Sequence, residues 1–143
     1  MCLMLYMAAD TPIVLQHMPN LSVEEVSPER EPVRQWLSLP HIVLVGAHTG
    51  CSCGFPSVAA EQPVEYYDGL FEPSEDRQND LASVTELLGL IRQLLEASPM
   101  LELLPVWVGD ETEASLGVVE MKLSKTTPET FLLNEHFIHR VVR

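Results

Sequence analysis

The chain predicts an α/β (α+β) fold, a single globular domain over residues 1–143 with a mixed β-sheet of about five strands and two main helices packed on it. Three observations lead there. Residues 2–9 and His41–Gly46 form apolar runs of strand length. Leu81, Val84, Leu88, Ile91 and Leu95 recur at three- and four-residue spacings, the mark of a helix with one buried face. The elements then alternate as strand, helix, strand, helix and three further strands, which suits helices layered on a sheet.

Each element has its local reason. The first strand, 2–9, is apolar on both faces and so belongs in the middle of a sheet. Asp10, Thr11 and Pro12 end it. Residues 21–26 alternate imperfectly and read as an edge segment. A short helix is expected from Pro32, with Val33, Trp36 and Leu37 on one face and Pro40 as its stop; Pro32 argues against an earlier start at Ser27 and Pro28. His41–Gly46 is β-branched, continuous and closed by glycine. Residues 64–67 suggest one more short strand. The acidic, proline-interrupted stretch near 58–79 reads as mobile. The second helix is capped by Asn79 or Asp80 and stopped by Pro99. Strands follow over 101–108, 117–123 and 136–142, with a Gly109–Asp110–Glu111 turn between the first two and a capped turn at Thr127.

Composition narrows the function classes. Hydrophobic residues make up 46% of 143, enough for a real core, and 21 acids against 8 Lys and Arg leave a net charge of −13. Nucleic acid and anionic membrane surfaces call for a basic stripe, and the few cations here are scattered, so neither is expected as a partner. The apolar start has no cation before it and is short of the roughly 20 residues of a membrane span, so it reads as a strand and not as a signal peptide. Three cysteines do not make a disulfide framework, which points to a cytoplasmic protein.

The chemistry concentrates in the loop His48-Thr49-Gly50-Cys51-Ser52-Cys53-Gly54. Two thiols one residue apart close on each other only with strain, but two sulfurs on one loop can hold a soft metal. His48 adds a third ligand. Cys2 adds a fourth if the first strand lies antiparallel beside His41–Gly46. A set of Cys2, His48, Cys51 and Cys53 suits tetrahedral zinc, with iron as the alternative. The simpler account makes Cys51 and Cys53 small packed loop residues and Cys2 an ordinary core cysteine. A nucleophilic version would use Cys51 with His48 or His41 as base, but no arginine follows at phosphate-loop spacing. Gly46, Gly50 and Gly54 suggest an anion nest, without either standard phosphate-loop motif. The turn Asp110-Glu111-Thr112-Glu113 could hold a cation, though a solvated hairpin turn is the preferred account, since Gly-Asp is ordinary turn chemistry. His136 and His139 fall on opposite faces of a strand, one inward and one exposed, and are not a ligand pair.

The opening Cys2-Leu3, the segment 41–55 with Cys51-Ser52-Cys53-Gly54-Phe55, the Trp107-Val108-Gly109-Asp110-Glu111 turn and the segment 131–137 together resemble a family of small bacterial proteins of unknown function that carry a Cys-x-Cys-Gly-Phe loop. That resemblance implies a single domain and no activity, cofactor or substrate. No motif fixes a reaction, so whether the chain is an enzyme stays open. The sequence reads as a non-catalytic binding or assembly domain with a protein partner or a second copy of itself. The alternative is a thiol site, metal-binding or redox, on the loop from His48 to Cys53.

Overall fold

A computed structural model describes residues 2–59 and 75–143. Strand β1 (Leu3–Ala9) is buried at every position because it lies in the interior of a seven-stranded sheet, between two covered faces. Its neighbours are β4 (His41–Gly46) and β6 (Leu101–Trp107), both antiparallel to it. Beyond β4 come β3 (Leu21–Glu25) and β2 (Gln16–Met18); beyond β6 come β9 (Phe137–Val142) and β7 (Gly117–Lys122). The order is therefore β2-β3-β4-β1-β6-β9-β7, antiparallel throughout except for the parallel pair β9–β7. A second, two-stranded sheet joins β5 (Ser57–Val58) in parallel to β8 (Leu133–Asn134).

The main sheet thus has seven strands where about five were expected. The additional strands are short or half-exposed. β2 has three residues and no periodicity to read, and it is held as an edge only by pairing with β3. Residues 64–67 lie outside the described residues. Of the acidic stretch near 58–79, the first residue belongs to β5 and the last five to a helix.

That helix, α1 (Glu75–Leu95), covers one face of the sheet. Val84, Leu87, Leu88, Ile91 and Leu95 pack on Leu5, Met7, Val43, Val45 and Leu103. Each fully buried side chain of this size contributes roughly 1.5–3 kcal/mol. The start expected at Asn79 or Asp80 lies inside the helix, which begins by Glu75. The other face is covered by a 3-10 segment, Pro28–Trp36, in place of the α-helix expected from Pro32. Pro32 stands inside it, and the tighter 3-10 winding runs on through the proline as successive short turns. Val33, Leu37 and Leu39 meet Met4, Tyr6, Ile42, Leu104 and Val106 there. The exit of this segment is fixed by Glu102, only 1% exposed, whose Oε1 accepts the backbone N–H groups of Ser38 and Leu39, both at 2.9 Å. No described helix is long and apolar enough to cross a membrane.

His139 is core-facing, as the strand period requires. Its Nε2 accepts the Asn134 N–H at 3.0 Å, so the ring proton sits on Nδ1, which has no hydrogen-bond partner. Burial, opposed by the nearby carbonyls of Leu103 and Phe137, pushes its pKa from 6.5 down to about 4. The unfolded chain binds a proton below pH 6.5 that the native ring refuses, so stability present above that pH is lost as pH falls toward 4. On the order of 3 kcal/mol is at stake across that window. His139→Gln keeps an acceptor for Asn134 without the titration. Urea midpoints of wild type and variant should therefore converge between pH 7 and pH 4.5; parallel behaviour would mean the imidazole is not held neutral.

Candidate metal-thiolate site

The antiparallel pairing of β1 with β4, with Leu5 opposite Val45, brings the beginning of β1 beside the end of β4. The chain leaves β4 at Gly46 and turns at once. Gly50 N–H donates to the Ala47 carbonyl, and Gly50 takes φ +81°, a conformation that favours glycine. Ala47 N–H then donates to the Cys51 carbonyl at 2.9 Å, closing the loop. Cys51 is extended and leads into a 3-10 turn, Ser52–Gly54. Gly54 has no room for a side chain: a Cβ would stand 2.7 Å from that of Ala47 and 3.1 Å from the His48 ring.

This turn takes over from β4 as the partner of β1. Ser52, 1% exposed, accepts the Leu5 N–H on its Oγ at 2.7 Å and donates to the Val45 carbonyl at 2.6 Å. Two residues earlier in β1, the Leu3 N–H donates to Cys53 Sγ at 3.4 Å. Serine and cysteine side chains thus continue the hydrogen-bond ladder that the β4 backbone abandons. On the far side of β1, the Cys2 carbonyl accepts the Val108 N–H at 3.0 Å.

The result is that Cys2, Cys51 and Cys53 lie close enough to bind a metal ion, their sulfurs all within 4.8 Å of one another. Sulfurs sharing one zinc at about 2.3 Å stand roughly 3.8 Å apart, a contraction that side-chain rotation can supply. Cys2 and Cys53 are exposed and Cys51 is partly buried, so none is an ordinary core cysteine. Their acidities diverge. Burial opposes ionisation of Cys51, but hydrogen bonds from the Thr49 hydroxyl, the Cys53 backbone and the Cys53 and Cys2 thiols outweigh it and lower its pKa. Burial and the adjacent Cys51 push Cys53 up, against the Leu3 N–H. Of the two loop thiols, Cys51 is thus the more readily ionised.

His48 is not in this group. Its Nε2 stands 2.7 Å from Asp80 Oδ1, and its backbone N–H donates to Ser83 Oγ at 2.9 Å. Asp80 and Ser83 are three apart on α1, so the histidine fastens the cysteine loop to the helix. Asp80 was expected only as a helix cap, and Ser52 and Ser83 were given no role from sequence. They carry no motif, and only the fold brings them to the loop. The suggested anion nest is spent internally: the N–H groups of Ala47, His48, Gly50 and Phe55 are all bonded within the protein.

The acidic turn is also not the solvated feature expected. Glu111 is 7% exposed; its carboxylate accepts the Gly109 N–H at 2.9 Å, stands 3.6 Å from Arg30 Nε and receives the Tyr6 hydroxyl at 3.4 Å. Asp110 and Glu113 instead gather with His136, whose Nε2 is 3.7 Å from Asp110. No family model, curated protein or solved structure matches this chain.

Ser52→Ala leaves the Leu5 N–H and Val45 carbonyl without their shared partner in a buried place. A loss of about 1–3 kcal/mol in chemical unfolding is expected, with faster alkylation of Cys53 as the turn loosens. A variant as stable as wild type would show that water or backbone closes the gap.

Proposed function

We propose that this protein is a metal-binding domain that holds a thiophilic ion, zinc before iron, on Cys2, Cys51 and Cys53. The observation that carries the reading is the convergence of three sulfurs from two distant chain segments within 4.8 Å. Thiolates favour soft and borderline ions, and zinc imposes no geometry of its own, so it accepts three protein sulfurs with a fourth position filled by water or an added ligand. Mononuclear iron on sulfur favours four thiolates. Reduced thiols of this kind belong in a reducing compartment such as the cytoplasm. The competing reading, a partner-binding or self-assembling domain without metal, treats the three sulfurs as bystanders.

The two part in one experiment. Untagged protein purified without chelator should contain near one zinc per chain by elemental analysis, and Cys51→Ser should lose it while keeping its circular dichroism. Stripping the metal should lower the melting temperature, by an amount corresponding to about 4 kcal/mol where free zinc exceeds Kd a thousandfold. Each bound thiol gives up a proton, so zinc affinity should be weaker at pH 6 than at pH 8. Protein that neither carries nor takes up zinc, with three freely alkylated thiols, would leave the partner-binding reading in its place.

A further inference from the structure

The three sulfurs are not equivalent. Cys53 Sγ is engaged by the Leu3 backbone N–H at 3.4 Å, whereas Cys51 Sγ meets the exposed Thr49 hydroxyl at 3.5 Å. Cys51 and Cys53 are poorly placed to join each other. Cys51 is extended at φ −120° and ψ 175°, Cys53 sits in the 3-10 turn that follows, and the Phe55 N–H pins that turn on the Ser52 carbonyl at 3.0 Å. A disulfide needs about 2.05 Å between sulfurs and a torsion near 90°, which a tight Cys-x-Cys ring meets only with strain. Cys2 comes from another strand. It is exposed, its sulfur lies within 4.8 Å of that of Cys51, and its carbonyl accepts the Val108 N–H.

We propose that the site is redox-gated: a hydroperoxide joins Cys2 to Cys51, and the disulfide removes two of the three sulfurs that hold the metal. In the first step the Cys51 sulfur attacks one peroxide oxygen and the O–O bond breaks. The departing hydroxide takes up a proton as water, or as an alcohol from an organic peroxide, and leaves a sulfenic acid. In the second step the Cys2 sulfur attacks the Cys51 sulfur, the S–O bond breaks, and the thiol proton leaves with the hydroxyl as water. Two sulfurs together lose the two electrons that the peroxide gains. Cys53 is left alone on its turn, and a single thiolate does not hold zinc against water. The metal half of this inference rests on the reading given above; the choice of sulfur pair does not.

The test is stoichiometric hydrogen peroxide added to full-length protein, with and without one equivalent of zinc, followed by non-reducing tryptic peptide mapping and a zinc measurement. Arg30 and Arg34 separate the Cys2 peptide from the one holding Cys51 and Cys53. The expected result is an intramolecular cross-link between those peptides that persists in Cys53→Ser, is absent in Cys51→Ser and is reversed by dithiothreitol. Zinc per chain should fall roughly tenfold or more with its formation. A Cys51–Cys53 bond, a bond between chains, or direct passage to sulfinic acid would overturn the proposal even if the reduced protein binds zinc normally. Full retention of zinc beside a Cys2–Cys51 bond would overturn the gating. A Cys2–Cys51 bond in protein that takes up no zinc when reduced would support the sulfur pairing and count against the metal reading instead.

Discussion

The hydroxyl of Ser52 stands between a backbone N–H of β1 and a backbone carbonyl of β4, and the geometry of the cysteine site depends on that relay. At Leu5 and Val45 the two strands are still in register, yet β4 is about to leave the sheet at Gly46. A strand that departs leaves buried backbone groups without partners, and each such group costs about as much as a lost hydrogen bond. Ser52 meets both needs with one oxygen, accepting from Leu5 and donating to Val45. Once it is seated, its two neighbours are placed as well. Cys53 falls opposite Leu3 and Cys51 turns toward Cys2.

The loop is held from the other direction by α1. Asp80 and Ser83 take the imidazole and the backbone N–H of His48, so the loop is anchored at its first residue by the helix and at its fifth by the sheet. Glu86, one turn further along α1, accepts the Asn20 N–H at 2.8 Å and ties the β2–β3 hairpin to the same helix. The apolar face of α1 packs on the sheet, and its polar edge aims the segments on which the site is built. A histidine that looked like a metal ligand beside two cysteines serves here as a fastener.

What could be read from the residues and what could not divide on a physical line. The apolar pattern located β1, β4, β6 and β9 to within a residue or so, because buried strands must be apolar and that requirement is local, and β7 was located as closely although none of its residues is buried. The conditional expectation for Cys2 was also sound: given antiparallel pairing with β4, it arrives at the loop. The misses came from interactions with no sequence period. β2 exists through its partner, the 3-10 winding across Pro32 follows from packing on Tyr6 and Val106, and the reach of α1 back to Glu75 runs through polar residues that its buried face does not require. Glu111 and Glu102 are acidic residues that composition alone sends to the surface. The fold buries both because each has a backbone N–H to accept, one for Glu111 and two for Glu102.

The contacts that place the sulfurs also bear on the kind of metal site proposed for them. In a small zinc module the ligands come together only when the ion binds, so binding and folding share one free energy. Here the backbone groups of Leu3, Leu5, Val45 and Val108 hold the cysteine segments by hydrogen bonds to Cys53 Sγ, Ser52 Oγ and the Cys2 carbonyl, beside a seven-stranded sheet. An ion bound there would have only side-chain rotations to organise. Two of the three proposed ligands, Cys2 and Cys53, face solvent. A site preformed by the sheet and open on one side can gain and lose its ion without unfolding the protein. That combination suits an exchangeable or regulated ion better than a permanent structural one.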